Sequence, residues 1–419
     1  MDRQIFYDIL NILFLTKSNV KPLVLSSYTI LSSAGKGLAS MEGALREERT
    51  GLAPLDLDFA HGLNTYIGRV EGLENSPITG RLERFDCRNN RLAQMCILQD
   101  GFEESVRKAI DRYGPDRISL VIGTSTSGIL ETELAYKNPS LENESVIRQF
   151  SDKFRYTHWF YSPAEYISEY FGLTGPAFTV STACSSSAKA FAAAARHIEA
   201  GFADAAIVGG VDSLCMTTLY GFTSLNIVSA KPCKPCDRNR DGLSLGEAAG
   251  FALLERPEQV ECGWREVFLS GYGESSDAHH MSAPHPKGIG AELAMRSALK
   301  MSGKSPEAID YINMHGTATP ANDTIEANAI LRIFGPDTPC GSTKGWTGHT
   351  LGAAGIVESI ISAICLKSGM IPGCLNMEEI DPDISCQIIA STMEAKVSTV
   401  LVNSFGFGGN NCSLVMEVG

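Results

Sequence analysis

The segment FTVSTACSSSAKAFAAAARHIEAG, residues 178–201, decides the fold of this chain. It begins with a short run rich in β-branched and aromatic residues, reaches Cys184, and continues as a long stretch of serines and alanines. That change of pattern predicts a buried strand that leads directly into a helix of small side chains. Helical stretches also alternate with other short apolar runs, at 22–30, 117–125, 204–210 and 251–256. The sequence therefore predicts an α/β protein whose sheet is largely parallel at its centre and covered by helices on both faces.

The same segment indicates that Cys184 is a nucleophile. The thiol is predicted at the first turn of a helix, where unpaired backbone N–H groups and the helix dipole favour a thiolate. The small neighbouring residues leave room for a substrate to approach. The other eleven cysteines have no such context, and we expect them to be buried structural residues.

Composition and charge restrict the class of protein. The chain has 419 residues, of which 44% are hydrophobic and 20% charged, as in soluble globular enzymes of two or three domains. Its formal charge of −13 makes nucleic acid an unexpected partner, and an acidic partner would need a local basic patch. Twelve scattered cysteines favour a reducing, cytoplasmic location. The apolar run Ile5–Leu15 is too short for a membrane span, so we expect an amphipathic helix rather than a signal peptide.

Two parts of the chain follow the same order of elements. Residues 178–201 read as a strand, a reactive residue and a small-residue helix, and residues 342–369 repeat this order with His349 in the reactive position. Gene duplication would explain the repeat, and the equal alternative is that α/β proteins produce such units by default. We expect three regions: an N-terminal extension, a half that carries Cys184 and a half that carries two histidines, at 1–25, 26–260 and 261–419.

His315 lies in DYINMHGTATPANDTIEANAI, residues 310–330, at the predicted end of a buried strand. The carboxyl ends of such strands are where α/β proteins bind ligands, so the position favours function over packing. Asp323 and Glu326 fit a capping box that would start a helix near Asp323.

His349 lies in STKGWTGHTLGAAG, residues 342–355, just before another small-residue helix. The dipole of that helix would lower the imidazole pKa and keep the ring neutral, able to donate one hydrogen bond. Lys344 precedes it and is either a solvated lysine or a part of the site.

The glycine-rich segment NSFGFGGNN, residues 403–411, lies between apolar runs. Glycines in such a loop indicate a close approach of the backbone or a positive φ. Neither a GxGxxG nor a GxxxxGK[ST] fingerprint occurs in the chain, so phosphate cradling is not expected.

In their order along the chain, VSTACSSS, NMHGTATPANDTIEANAI, STKGWTGHTLGAAG and NSFGFGGNN resemble the motifs of the elongating β-ketoacyl-acyl carrier protein synthases. The stretch CKPCDRNRDGLSLGEAAG is similar to a further motif of that family, and the resemblance runs from about Ser26 to the C-terminus. It implies a thiolase fold, with two similar halves in five layers, αβαβα. It also implies decarboxylative condensation of malonyl-acyl carrier protein with an acyl group held on a cysteine, in fatty acid or polyene/polyketide biosynthesis.

The resemblance assigns roles to single residues. Cys184 would be the acylated nucleophile, and His315 and His349 would donate hydrogen bonds to the thioester carbonyl of the malonyl substrate. Backbone N–H groups of Cys184 and Phe407 would form the oxyanion hole, with Phe407 gating the acyl pocket. Other implied roles are phosphopantetheine binding by Thr317 and Thr319, and a supporting ion pair of Lys344 with Glu326. No metal or redox cofactor is implied.

The implied partners are acyl carrier protein and a second subunit, which is either an identical copy or a ketosynthase-like protein. Because these carrier proteins are strongly acidic, we expect docking at GRLERFDCRNNRLA, residues 80–93. Helical spacing would place four arginines of this segment on one face: Arg81, Arg84, Arg88 and Arg91. The alternative is a solvated or internally paired face.

Three positions depart from the family pattern. Cys236 replaces the usual Phe, Ala248 replaces a Gly, and Thr126 stands where an apolar residue or Gly lies near the acyl pocket. A threonine hydroxyl would disfavour a long saturated tail, so we expect short, unsaturated or polar-tipped acyl groups. In the alternative interpretation Thr126 bonds a backbone carbonyl and the pocket is shaped elsewhere. GTSTSGI and DCRNNRLA are also similar to condensing enzymes of polyene or polyketide clusters.

Other functions fit the sequence less well. A degradative thiolase needs a second cysteine within the glycine-rich loop, and an initiating synthase that uses acetyl-CoA would carry Asn in place of His349. A non-catalytic chain-length factor would lack the nucleophile that Cys184 provides. A zinc or redox site is the alternative from another class, and one CxxC pair is weak support for it; its ligands would be Cys233, Cys236, His279, His280 and His285.

Overall fold

The computed structural model describes residues 21–137, 153–261, 263 and 265–419. The helix predicted at Ile5–Leu15 lies outside these residues. The strands of the first half are β1 (Leu23–Ser32), β2 (Gly35–Lys36), β3 (Ala53–Pro54), β4 (Tyr66–Gly68), β5 (Ile118–Gly123), β6 (Ala177–Val180), β7 (Ala205–Asp212), β8 (Leu245–Gly246) and β9 (Ala248–Glu255). Those of the second half are β10 (Val267–Ser276), β11 (Tyr311–Asn313), β12 (Pro339–Gly341), β13 (Met370–Ile371), β14 (Gln387–Ile388), β15 (Met393–Glu394), β16 (Thr399–Gly406) and β17 (Asn410–Val418).

The helices of the first half are α1 (Leu38–Arg46), α2 (Arg88–Ile97), α3 (Phe102–Tyr113), α4 (Ile129–Tyr136), α5 (Ser162–Phe171), α6 (Ser186–Glu199) and α7 (Met216–Ser224). Those of the second half are α8 (Ile289–Ser302), α9 (Pro320–Phe334), α10 (Lys344–Thr347) and α11 (Ala354–Ser368). Short 3₁₀ turns include Gly80–Phe85, Leu351–Ala353 and Phe407–Gly409.

One large sheet runs through both halves in the order β14-β12-β11-β16-β17-β10-β1-β9-β7-β5-β6. Apart from the outermost strand β14, the sheet consists of β12-β11-β16-β17-β10 from the second half and β6-β5-β7-β9-β1 from the first half. Both sets follow the same order. Their first strands along the chain, β10 and β1, meet at the centre of the whole sheet, and β12 and β6 lie at the outer ends of the two sets. The predicted boundary between residues 260 and 261 falls in the connection between β9 and β10. This common strand order agrees with the expectation of two similar halves.

The centre of the sheet differs from the sequence prediction, because the parallel pairs lie toward its two ends. The pairs β5–β6, β5–β7, β11–β12, β11–β16 and β12–β14 are parallel. The middle pairs, which join β17, β10, β1 and β9, are antiparallel. Short connections cause part of this difference, since strands joined by a tight turn, such as β16 and β17, cannot run parallel.

The helices form three layers around the two halves of the sheet. Helices α6 and α11 pack against each other in the middle layer and contact strands of both halves. Helices α2, α3 and α5 cover the outer face of the first half, and α8 and α9 cover that of the second. The five layers αβαβα predicted from the sequence are therefore present.

Helix α11 with the turn before it, Leu351–Ser368, is long and apolar enough to cross a membrane, but 89% of this stretch is buried inside the protein. Its place between two strand layers explains its composition. The middle layer also sets the position of the reactive residues. Cys184 stands just before α6 and His349 shortly before α11, so the packing of the two helices brings both residues together.

Candidate active site

Cys184 occupies the tight connection between β6 and α6. The preceding Ala183 has a φ of +53°, an unusual conformation for a residue with a Cβ, and it turns the chain sharply from strand to helix. The thiol is almost wholly buried, and its Sγ lies 3.0 Å from Nε2 of His349. The strand, nucleophile and helix predicted from 178–201 are thus present in that order.

The resting state of the thiol differs from the sequence prediction. Burial raises the pKa of Cys184 to about 11, although the Lys344 ammonium and the backbone N–H of Phe407 both act to lower it. The prediction of a resting thiolate is therefore wrong, because loss of solvation outweighs the favourable groups. To act as a nucleophile, a thiol in this state would have to lose its proton, and the same groups would then stabilise the negative charge on sulfur.

His349 is held as a neutral imidazole with its hydrogen on Nε2. Its Nδ1 accepts the backbone N–H of Leu351 at 3.2 Å, which leaves Nε2 to carry the hydrogen that faces Cys184. Burial and the nearby charge of Lys344 hold the pKa of His349 well below its usual range. The predicted neutral ring is confirmed, with burial rather than a helix dipole as the main cause.

His315 follows β11 and lies beside His349, with 5.3 Å between the ring centroids. Its Nδ1 is 3.5 Å from Nζ of Lys344, an ammonium that can only donate, so Nδ1 accepts and Nε2 carries the hydrogen. Burial, followed by the charge of Lys344, holds the pKa of His315 well below its usual range. Two neutral imidazoles thus offer N–H donors beside one thiol.

Lys344 forms its ion pair with a different carboxylate from the one predicted. Its buried Nζ contacts Glu358 and the carbonyl of His315, and Glu326 is not its partner. Burial raises the pKa of Glu358 to about 7, while Lys344 lowers it. Sequence reasoning missed Glu358, although a single carboxylate in the apolar helix AGIVESIISAICLKS was a usable signal, since such a group needs a partner.

Glu326 supports the backbone at His315 instead of forming an ion pair. Its two carboxylate oxygens accept the N–H groups of His315 and Gly316, at 2.8 and 2.9 Å, and burial raises its pKa to about 7. The predicted capping box is wrong because α9 starts earlier, at Pro320, with no side-chain cap bond. Asp323 instead accepts the backbone N–H of Ala318.

A cavity of about 350 Å³ leads from the three reactive side chains to the surface. Thr317 and Thr319 line it, with 2.8 Å between their hydroxyl oxygens. Phe407 also lines it, and its ring stacks on Phe222 at a centroid distance of 5.6 Å. The residues near its mouth are more exposed and include Ala283, Pro320 and Ala321. The cavity therefore has a buried reactive end and an open end.

Thr126 does not line this cavity. Its buried hydroxyl donates to Oδ1 of Asp212 at 2.8 Å, and its backbone N–H donates to the same oxygen. The hydroxyl therefore has a partner that the sequence did not reveal, and it does not leave an unsatisfied polar group in an acyl pocket. The preference for short, unsaturated or polar-tipped acyl groups stays a prediction. The partner is a carboxylate rather than the backbone carbonyl considered as the alternative.

The four arginines do not share one helix face. Arg81 and Arg84 lie in the turn Gly80–Phe85, whereas Arg88 and Arg91 lie in α2, and an extended Cys87 separates the two elements. Each guanidinium has a partner in this chain: the carbonyl of Glu169 for Arg81, its carboxylate for Arg84, Glu247 for Arg88 and Asp86 for Arg91. The internally paired alternative describes this segment better, and only Arg81 and Arg84 remain substantially exposed.

The part of the chain that the structure describes holds one arrangement of side chains of the kind that can ligate a metal. There, Cys184, His315 and His349 are the one group of at least three such side chains close enough to share an ion, with their ligand atoms within 4.8 Å of one another. The buried ammonium of Lys344 beside them disfavours a second cation. Cys233 and Cys236 belong to separate apolar clusters and do not meet the exposed His279 and His280 or the half-buried His285.

Comparison with known proteins identifies the family of this chain. Residues 84–260 match the Beta-ketoacyl synthase, N-terminal domain, and residues 267–378 match the Beta-ketoacyl synthase, C-terminal domain. The chain belongs to the beta-ketoacyl synthase family. It is therefore a condensing acyltransferase, and the predicted family and enzyme class are confirmed.

Relatives of this synthase include the 3-oxoacyl-[acyl-carrier-protein] synthase 2 of Coxiella burnetii, with 31% identity over 94% of this chain and 98% of that protein. The mitochondrial 3-oxoacyl-[acyl-carrier-protein] synthase of Arabidopsis thaliana is 39% identical over 60% of this chain and 58% of its own length. Among solved structures, the synthase is similar to the ketosynthase ApeO in complex with its chain length factor ApeC from Xenorhabdus doucetiae. That match has 36% identity, a TM-score of 0.87 and coverage of 95% of this chain and 98% of the other.

Proposed function

We propose that this synthase condenses an acyl group held on Cys184 with malonyl-acyl carrier protein, releasing CO2 and 3-oxoacyl-acyl carrier protein. The observation that carries the proposal is the meeting of one thiol and two neutral imidazole N–H donors at the buried end of a cavity. A thiol accepts the acyl group, and N–H donors stabilise the enolate that decarboxylation forms.

The first step is a thioester exchange. Sγ of Cys184 attacks the carbonyl carbon of the acyl-carrier thioester, and the bond between that carbon and the carrier sulfur breaks. The thiol proton leaves with the released carrier thiol, so the exchange consumes no proton. The backbone N–H of Phe407 faces Cys184, and together with the N–H of Cys184 it would hold the oxyanion.

The second step uses the two histidines. The malonyl thioester carbonyl accepts hydrogen bonds from Nε2–H of His315 and His349, so negative charge moves onto this oxygen as the carboxylate leaves as CO2. The enolate carbon then attacks the acyl carbonyl on Cys184, and the carbon–sulfur bond to Cys184 breaks. The released thiolate takes up one proton from solvent. Because burial keeps both rings neutral, they donate without becoming charged.

Substrates would arrive on the phosphopantetheine arm of a carrier protein. Thr317 and Thr319 line the cavity between the reactive end and the mouth, where a pantetheine chain needs hydrogen-bonding groups. Arg81 and Arg84 remain the exposed part of the proposed docking segment, although Glu169 compensates part of their charge.

We also propose a second subunit, either an identical copy or a ketosynthase-like protein. Within the described part of the chain the edge strand β6 pairs with β5 alone, which leaves its other side available to pair across a subunit interface. The likeness to a ketosynthase that is complexed with a chain length factor supports a ketosynthase-like partner and a dedicated polyketide-type pathway. The two halves, 26–260 and 261–419, would act as one soluble unit. We propose that this unit works in the cytoplasm, because the eleven described cysteines are unpaired, as in a reducing compartment.

Intact-protein mass spectrometry tests the proposal. Wild-type protein incubated with acyl carrier proteins of different acyl length should gain one acyl group on Cys184 and form product once malonyl-carrier is added. Cys184→Ala should retain less than ~1% of product formation, because loss of a covalent nucleophile costs several orders of magnitude. The matched control Cys96→Ala removes a buried thiol from α2, outside the cavity, and should remain active.

The histidine variants separate the two steps. His315→Ala and His349→Ala should lose decarboxylation of malonyl-carrier while Cys184 still becomes acylated. Loss of acylation with retained decarboxylation would reverse the assigned roles. Product formation by Cys184→Ala above ~1% of the wild-type level would overturn the proposed function.

A further inference from the structure

Asp212 is a buried acid at the end of β7 that takes part in none of the steps above. Its carboxylate accepts the hydroxyl hydrogens of Thr124 and Thr126 at 2.6 and 2.8 Å, and the backbone N–H groups of Ser125 and Thr126. Its other oxygen, Oδ2, also accepts the N–H of Gly352 at 2.5 Å. One carboxylate thus connects the loop after β5 to the turn that follows His349.

The structure at Gly352 shows how closely these two loops approach each other. A Cβ on this residue would lie 2.7 Å from Oδ2 of Asp212 and 2.8 Å from the backbone nitrogen of Ser125. Both distances are shorter than carbon tolerates, so glycine is required for the N–H of this residue to reach the carboxylate. The contact is therefore a fixed feature of the turn.

The residue before this contact is held in an unfavourable conformation. Leu351 has a φ of +55°, which a leucine adopts only when its surroundings impose it. In this conformation its N–H donates to Nδ1 of His349 at 3.2 Å. That bond is what places the hydrogen of His349 on Nε2, 3.0 Å from Sγ of Cys184.

We propose that Asp212 is a positioning residue: by holding Gly352 it fixes the strained turn at Leu351, and the turn fixes His349 as the tautomer that donates from Nε2. Only the expected effect of Asp212 on the rate of decarboxylation rests on the proposed function. The tautomer itself is a property of the resting protein.

The test compares Asp212→Asn with Glu255→Gln. Each exchange replaces a buried carboxylate by an amide of the same shape, and Glu255 lies at the end of β9 with Arg112 and Tyr113, outside the cavity. The amide oxygen of Asn would take the place of Oδ1, which accepts four N–H and O–H groups, so the NH2 would face the N–H of Gly352 and could not accept it. Asp212→Asn should therefore slow malonyl decarboxylation at least about tenfold while acylation of Cys184 changes by less than about threefold. Glu255→Gln should leave the ratio of the two rates unchanged.

Nitrogen NMR of ¹⁵N-histidine-labelled protein gives a second readout. The eight histidines of the chain include His349, whose signals are identified by their loss in His349→Asn. Wild type should show hydrogen on Nε2 of His349, and Asp212→Asn should show a mixture of both tautomers. This measurement on wild type stands even where Asp212→Asn does not fold.

Two results would overturn the inference: a wild-type His349 with hydrogen on Nδ1, or equal loss of both half-reactions in Asp212→Asn with an unchanged tautomer. The first would show that the turn does not set the ring, and the second that Asp212 is only structural. Absence of any decarboxylation by wild type would instead contradict the proposed function, and the tautomer spectrum would still test Asp212.

Discussion

The buried carboxylate of Glu326 makes the stability of the protein depend on pH in a calculable way. Its pKa rises from 4.5 to about 7 on folding, mainly through burial. Because the folded state then binds the proton more tightly than the unfolded state, stability is lost as pH rises from 4.5 to 7. At about 1.4 kcal/mol for each pKa unit, the full loss is about 3.5 kcal/mol.

The substitution Glu326→Gln removes this loss and introduces a different one. A Gln side chain offers one oxygen where Glu326 uses two, so one backbone N–H, of His315 or of Gly316, is left without an acceptor at a cost of about 1–3 kcal/mol. The variant should therefore be less stable than wild type at pH 5. At pH 8 this deficit should be smaller by about 2–3 kcal/mol, so that the variant is about as stable as wild type or more stable.

Urea unfolding of both proteins between pH 5 and pH 8 measures this difference in the free energy of unfolding. The control Asp111→Asn neutralises an exposed acid in α3 whose carboxyl stays in water, and its effect should not vary in this way. A deficit of Glu326→Gln that stays constant, or that grows with pH, would refute the reasoning that burial of the charge dominates at this position.

Three other substitutions test the ion pairs and the threonine. Lys344→Met should destabilise the protein by about 3–5 kcal/mol because it leaves Glu358 buried without its cation, and adding Glu358→Leu should recover most of this loss in thermal unfolding. Thr126→Ile should lower stability by about 1–3 kcal/mol and leave the acyl chain lengths accepted by the enzyme unchanged; a shifted preference in the acylation assay would restore the pocket role. Arg84→Glu should raise the KM for carrier-bound substrate but not for a pantetheine thioester, and an equal rise for both would show that the pair with Glu169 is structural.

The sequence by itself determined which residues are candidates for catalysis, and it determined the layered α/β fold, because both depend on local patterns. The strand, Cys184 and small-residue helix lie within 24 consecutive residues, and His315 follows a strand that its own neighbours define. A positive φ in the glycine-rich loop was likewise readable, and Gly408 has one, at +79°. Such features need no knowledge of distant parts of the chain.

Tertiary structure alone decided charge partners and protonation states. The hydroxyl of Thr126 donates to Asp212, which lies 86 residues further along the chain. Lys344 pairs with Glu358 on α11 rather than with Glu326. The thiol of Cys184 stays protonated because the surrounding layers exclude water, an effect that the residues beside it do not reveal. Helix dipoles act over one turn and can be inferred from sequence, whereas desolvation depends on every group packed around a side chain. For this reason the positions of the reactive groups were predictable and their partners and ionisation were not.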